Sequence, residues 1–351
     1  MQPKALIAMS GGVDSAVSAA LMQEAGYDCL GVTLRLWCGE GETCGSAREA
    51  AVAKEVAASC GIPHRVLDLS DRFRQAVIDP FIASYEAGET PNPCVACNRN
   101  LKFGFLCDWA AQNGFDRVVT GHYARVQTDP VSGRYLLKKA LDPQKDQSYV
   151  LYNLTQEQLA RVAFPLGTLT KTEVRRMAED RGFVNAQKKD SQDICFVPDG
   201  DYTAFLTRET GKTYPKGPFV SLDGTPLGEH NGVVRYTVGQ RKGLGIAARE
   251  PLYVVKVDPK TNTVVLGGNG DLYSDTLTAR DCNFISVPSV SSPMRCRAKV
   301  RYRQEEQPCT VVQTGDRTVR VTFDTPQRAI TPGQSVVVYD GDTVVLGGII
   351  A

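Results

Sequence analysis

No stretch of the chain approaches the ~18 consecutive apolar residues that a membrane-spanning helix needs. The first residues, Lys4-Ala5-Leu6-Ile7-Ala8-Met9, run straight into a glycine loop where a secretory signal would carry its apolar core. Both absences lead to the expectation of a soluble, cytoplasmic protein with no membrane partner. Charge of one sign is not in excess either: 40 basic against 39 acidic residues leave a formal net charge of +1. Global charge therefore points to neither nucleic acid nor membrane, and any basic footprint has to be local. The loop after Met9 matches neither G-x-x-x-x-G-K-[ST] nor G-x-G-x-x-G, and no lysine follows its glycines. Nor does a second C-x-x-C accompany the one at Cys94 and Cys97, so a four-cysteine zinc site is excluded.

What is present is a globular composition, 42% hydrophobic and 23% charged, over 351 residues, too many for one ordinary core. Eleven cysteines, an odd number scattered along the chain, do not read as a secreted disulfide framework. Some of them are expected to be chemistry or metal ligands. The chain is organised around M-S-G-G-V-D-S, Met9 to Ser15. Before it lies a short apolar run fit for a buried parallel strand; after it Val13, Val17, Ala20 and Leu21 recur at helical spacing until Gly26. A strand breaking into a helix through two glycines makes an oxyanion cradle, with the first free N–H groups of the helix facing the anion and Ser10 and Ser15 adding hydroxyl donors. Asp14 would repel a polyphosphate unless a divalent cation sat between them, which makes it a candidate Mg2+ contact.

Further strands are predicted at Cys29 to Leu36, Val66 to Leu69 and Arg117 to Thr120. They alternate with helices: one opened by a capping box at Ser46 and Glu49, one over Phe73 to Ala87 despite Pro80, and one over Leu101 to Asn113. The alternation predicts an α/β fold with a doubly wound parallel sheet, whose ligands sit beyond the carboxyl ends of its strands. Leu34 and Gly121 lie at two such ends, placed to flank adenine and ribose. In E-T-P-N-P-C-V-A-C-N, residues 89 to 98, two prolines force an extended turn. Cys94 and Cys97 are then expected just before a helix, where the dipole lowers thiol pKa values. Cys195 is a third candidate ligand.

Thr170 and Glu173 form another capping box, before a helix ending near Gly182. From Tyr214 the chain turns to short alternating runs, with a hairpin at Tyr253 to Pro259 and Thr263 to Leu266 and a basic glycine loop at 239 to 245. The later strands suggest a small all-β barrel. Arg295, Arg297, Lys299, Arg301 and Arg303 alternate with smaller or apolar residues. Strand period would place all five cations on one phosphate-binding face. The expected domains are 1–206 (α/β, carrying the cradle), 207–268 (small, mixed) and 269–351 (β-barrel, carrying the basic row).

S-G-G-V-D-S resembles the pyrophosphate motif of the ATP pyrophosphatases. Together with T-P-N-P-x-x-x-C-N-x-x-x-K-F, T-G-H-Y-A-R, K-D-Q-S-Y-V-L, F-P-L-G-x-L-T-K-x-E-V-R and K-x-D-S-Q-D-I-C-F, in that order along the chain, it resembles the tRNA-specific 2-thiouridylases. The resemblance implies an adenine-nucleotide-hydrolase type sheet, ATP and Mg2+ as cofactors, and tRNA as partner. It also implies that the wobble uridine is adenylated at its 2-carbonyl oxygen before sulfur displaces AMP. By position it assigns Ala8, Met9, Ser10, Gly11, Gly12, Val13, Asp14, Ser15, Leu34 and Gly121 to ATP. It assigns Asn92, Pro93 and Cys94 to the target base, and His122, Lys145, Asp146, Gln147, Arg301, Tyr302 and Gln334 to RNA. Cys97 matches the family's nucleophile and Cys195 the persulfide carrier, supplied by a cysteine desulfurase or sulfur-relay protein, the two closing a disulfide after transfer. Many members carry Asp where this chain has Cys94. Cys94, Cys97 and Cys195 thereby also resemble the three ligands of related thiolases that hold a four-iron four-sulfur cluster and use free sulfide. Two rival readings are a small-molecule ligase of the pyrophosphatase type, which needs no cysteine set and no basic barrel, and a nucleotide-sensing or RNA-binding protein without turnover.

Overall fold

The protein, a computed structural model, is described over residues 2–37, 45–188 and 194–351. It forms two compact units, one of Met1–Val77, Cys94–Gln192 and Gly341–Val345, the other of Ile78–Pro93, Asp193–Asp340 and Leu346–Ala351.

In the first unit, β1 (Lys4–Ala8), β2 (Asp28–Arg35), β3 (His64–Asp68) and β4 (Arg117–Val119) pair in parallel. An antiparallel hairpin of β5 (Ala124–Thr128) and β6 (Tyr135–Lys139) follows, and β7 (Val162–Ala163) completes the sheet in the order β3-β2-β1-β4-β7. Ala5, Leu6 and Ile7 are wholly buried, as expected of a central parallel strand covered on both faces. The helix Val13–Glu24 buries Val13, Ala16, Val17 and Ala20, and Gly26, at φ +84, ends it. The strand order reverses between β1 and β4, so the loops after these two strands flank the switch point. Ser46 belongs to the helix Gly45–Ser59, but its side chain, and with it the expected capping box, lies outside the described residues. The expected helix over 73–87 is continuous but widens into π-type turns at Arg74–Ile78, just before Pro80, which cannot donate to the preceding turn.

Two sheets make up most of the second unit. One has the order β10-β11-β8-β9, from β8 (Gly217–Val220), β9 (Pro226–His230), β10 (Tyr253–Asp258) and β11 (Thr263–Gly267), the last two being the expected hairpin. The other is a closed antiparallel barrel of six strands: β12 (Tyr273–Phe284), β13 (Met294–Lys299), β14 (Gln307–Gly315), β15 (Thr318–Arg328), β16 (Ser335–Asp340) and β17 (Thr343–Ile350), of which Leu346–Ile350 belong to this unit. Pairing of Ala279 with Ile350 and Phe284 with Leu346 closes it. Val311, Val319, Val321, Val336 and Leu346 fill its interior. The five-cation face is not formed. β13 stops at Lys299, so Arg301 and Arg303 lie in the following turn, and Lys299 is itself buried with Nζ 5.3 Å from the Tyr339 ring centroid. Within the strand Arg295 is held by Asp324, and Arg297 donates to the Glu306 carbonyl at 2.6 Å. The pleat that would align the row ends at Lys299, before the row does.

Candidate active site

β1 ends at Ala8, and the loop from Met9 is fixed from both sides. Met9 N–H donates to Val32 O at 2.8 Å and its carbonyl accepts from Thr33 Oγ1 at 2.7 Å. Gly11 turns the chain at φ +68, and a Cβ there would stand 2.6 Å from the Glu49 carbonyl oxygen, so only glycine fits. Gly12 caps the helix without a side chain, leaving the first helical N–H groups open to an anion. The Ser15 hydroxyl, expected to face the ligand, donates to Gly12 O at 3.0 Å and is buried. Ser10 is exposed beside it, with Oγ 3.5 Å from Ser15 Oγ. Val13 is buried in the core.

The loop does have a lysine, contrary to the reading from its local sequence. Lys171, first residue of the helix Lys171–Asp180, puts Nζ 2.7 and 2.8 Å from the two Asp14 carboxylate oxygens. Tyr123 OH donates to Asp14 Oδ1 at 2.8 Å. The Thr170–Glu173 capping box forms as expected, Glu173 Oε2 accepting from Thr170 N–H at 2.7 Å, and it sets where that helix starts. Two more residues missed from the sequence act on Gly11: its carbonyl accepts from Asn185 Nδ2 at 3.1 Å and from Lys188 Nζ at 3.4 Å. L-T-K and T-G-H-Y held the signal for Lys171 and Tyr123, but nothing local says that they meet Asp14. Gly121 abuts the same loop, since a Cβ on it would lie 2.8 Å from the Asp14 carbonyl carbon and Ser15 N. Leu34 is part-buried near the end of β2, in register with Leu67.

Asp14 is one part-exposed carboxylate, which suits an ion held mainly by phosphate oxygens. Among the described residues no three His, Cys, Asp or Glu side chains converge to hold a metal ion. The loop therefore fits a magnesium ion that arrives with a polyphosphate, in competition with the Lys171 ammonium.

His122 is buried between the Phe103 and Phe164 rings, with Nδ1 2.7 Å from Thr120 Oγ1, and burial pushes its pKa well down, so the ring is neutral. Gln147 accepts from Tyr123 N–H at 2.9 Å through Oε1, and Asp146 accepts from Ala140 and Ser148 N–H. Gln147 thereby braces the Gly121–Tyr123 loop, while Asp146 fixes the turn before it. Lys145 is half-buried in the turn before them, its N–H donating to Asp142 O at 3.1 Å.

Cys94 and Cys97 lie inside the short helix Pro93–Cys97, which runs on into the π-type stretch Asn98–Phe105, and not ahead of a helix. Cys94 is exposed and Cys97 buried. Burial pushes the Cys97 thiol up, against the expected lowering, because desolvation of a thiolate outweighs the nearby Lys102. Buried asparagines pin this turn: Asn153 Nδ2 donates to Val95 O at 3.1 Å and Asn98 Nδ2 to Val150 O at 3.0 Å.

In the second unit the Glu89–Pro93 segment is tied to the barrel. Thr90 N–H donates to Pro332 O at 2.9 Å, Gln334 Nε2 to Thr90 O at 2.7 Å, and Arg280 to Glu89 at 2.6 Å. Asn92 and Pro93 end this segment. Arg301 donates to Ala329 O at 3.0 Å, Tyr302 is exposed in the turn after β13, and the Cys195 thiol is exposed beside buried Phe196.

Three family models match: a tRNA methyl transferase HUP domain over residues 3–199, a tRNA methyl transferase PRC-barrel domain over 203–268, and an aminomethyltransferase beta-barrel domain over 274–350. Among curated proteins the chain is 49% identical to the tRNA-specific 2-thiouridylase MnmA of Acetivibrio thermocellus, over 99% of each chain. It is 48% identical to that of Clostridioides difficile, over 100% of this chain and 98% of the other. Among solved structures, the U34-tRNA thiolase NcsA from Methanococcus maripaludis, solved with its [4Fe-4S] cluster, is similar at 18% identity and a TM-score of 0.36, over 59% of this chain and 66% of that one.

Proposed function

Because the chain belongs to the tRNA-specific 2-thiouridylase family, and is an ATP-dependent tRNA sulfurtransferase on that ground, we propose that the Met9–Ser15 loop binds the ATP polyphosphate and that the target is the wobble uridine. A uracil carbonyl oxygen is a poor leaving group. In this reading the 2-carbonyl oxygen attacks the α-phosphorus, the bond to the β-phosphate bridge breaks, and pyrophosphate departs. Sulfur then bonds to C2 as the C2–oxygen bond breaks and AMP leaves.

The observation that carries the nucleotide assignment is the Gly11 turn, closed to any side chain by Glu49 and opening onto the helix N-terminus. Lys171 supplies positive charge at the loop and balances the Asp14 carboxylate; Tyr123 orients the same carboxylate. Magnesium, entering with ATP, would neutralise phosphate charge and take Asp14 as its protein contact. Asn92, Pro93 and Cys94 are proposed to meet the target base, with His122, Lys145, Asp146, Gln147, Arg301, Tyr302 and Gln334 serving RNA. For buried His122 and bonded Gln147 that service is to shape the surrounding loop. The division into 1–206, 207–268 and 269–351 and a cytoplasmic site of action go with this reading; among the described residues no helix is long and apolar enough to cross a membrane.

For sulfur, the exposed Cys195 thiol suits a persulfide carrier loaded by a donor protein. Cys97 serves as the second thiol: its sulfur bonds to the Cys195 sulfur as the persulfide S–S bond breaks, and the Cys97 proton leaves with the released sulfide. A cluster on Cys94, Cys97 and Cys195 is the second reading, favoured by the placing of Cys94 one turn before Cys97. Asp14→Ala tests the whole assignment: ATP-dependent thiolation should be lost while tRNA binding persists, and near-normal pyrophosphate release would sink it.

A further inference from the structure

Asn185 is 4% exposed, lies outside every motif read from the sequence, and spends its amide on one atom, the Gly11 carbonyl oxygen at 3.1 Å. Among the described residues its own Oδ1 has no hydrogen-bond partner. A buried, half-satisfied amide costs stability, so stability alone does not account for it. The peptide joining Gly11 to Gly12 is trans, like every described bond of the chain. In a planar trans peptide the carbonyl of one residue and the N–H of the next point in opposite directions. Drawing the Gly11 oxygen toward Asn185 therefore turns the Gly12 N–H the opposite way, toward the side where the helix N-terminus opens. Turning that peptide over rotates Gly11 ψ and Gly12 φ, and because both residues are glycine the alternative orientation is accessible at little cost. Without a partner on the Gly11 oxygen the peptide could flip and present a carbonyl to the phosphate. Lys188 reaches the same oxygen at 3.4 Å but is part-exposed and shared with Glu49 at 3.5 Å, so it is the weaker constraint.

We propose that Asn185 is a positioning residue for the adenylation step: it locks the Gly11–Gly12 peptide so that the Gly12 N–H donates to the polyphosphate of ATP. The proposal rests on the assignment of ATP to this loop. Binding of ATP to the full-length protein with magnesium present, measured by calorimetry, and pyrophosphate release with saturating tRNA test it together. Asn185→Ala should raise the ATP Kd and KM about tenfold, as expected for one lost hydrogen bond to an anion, with kcat changed less and tRNA affinity unchanged. Asn185→Asp keeps the shape but, ionised, repels the Gly11 oxygen. Its KM for ATP should exceed that of Asn185→Ala at neutral pH and fall below it as the pH is lowered, because the protonated acid can donate to that oxygen. A merely structural role would not give that pH reversal. Wild-type affinity for ATP in Asn185→Ala, or no recovery of Asn185→Asp at low pH, overturns the proposal while the loop assignment stands. Failure of the wild-type protein to bind ATP overturns both.

Discussion

Lys171 sets the electrostatics of the phosphate loop. A carboxylate facing a polyphosphate needs a counter-charge, and here it has one at 2.7 Å before any nucleotide is considered. Lys171→Met, which keeps the stem and removes the charge, should raise the KM for ATP roughly 10- to 100-fold, the range for a hydrogen bond between charged partners. An ATP titration of pyrophosphate release checks it, and an unchanged KM would leave Lys171 a purely structural partner of Asp14. The cysteines divide on similar grounds. If sulfur travels as a persulfide, Cys94→Ser keeps most thiolation activity with a persulfide donor, whereas Cys97→Ser and Cys195→Ser abolish it. If a cluster carries it, Cys94→Ser is as dead as the others, and anaerobically reconstituted wild-type protein contains iron and sulfide. Nucleoside mass spectrometry on treated tRNA, together with metal analysis, separates the two.

Strand β13 shows how an element overrides a pattern. Period-two alternation aligns side chains only while the strand lasts, and this one ends at Lys299, whose buried ammonium lies over the Tyr339 ring. Lys299→Ala is thus expected to cost about 2 kcal/mol of stability through lost packing and cation–π contact, with no change in the salt dependence of tRNA binding. Arg301→Ala, in the exposed turn beyond, should instead lower the log–log salt slope by about one unit if it meets a phosphate. Filter-binding titrations alongside thermal melts distinguish the two variants, and a flattened slope for Lys299→Ala would restore the continuous basic face.

The molecule as a whole carries three histidines, His64, His122 and His230, and burial depresses all of their pKa values. Each accepts a proton in the unfolded chain near pH 6.5 but in the folded chain only at lower pH. The unfolded state therefore binds more protons as the pH falls through 6.5, and folding stability is lost in that direction. Between pH 7.5 and 5.5 the Tm should drop by about 3–6 °C, well above the range where Asp324 and Asp342, both held low by basic partners, lose their contribution near pH 4. A flat Tm across that interval would mean that the histidines gain compensating partners when charged.

Much of this protein was legible in its sequence by itself. The break from β1 through two glycines into the helix Val13–Glu24, the stop at Gly26, the box at Thr170 and Glu173, and the hairpin of β10 and β11 all follow from rules that act over a handful of residues. So does the likeness of its ordered motifs to one enzyme family. Contacts across the chain were decided only by tertiary structure. Lys171 meets Asp14 across 157 positions and Asn185 meets Gly11 across 174, pairings set by how the helix Lys171–Asp180 and the turn after it pack against the loop. The Cys97 thiol is raised where its local position suggested lowering, because the cost of desolvation depends on what the rest of the fold lays over it. Periodicity and capping encode which face of an element is apolar; they carry no information on which distant side chain will cover it, and that covering is what assembled the loop chemistry and dismantled the basic row.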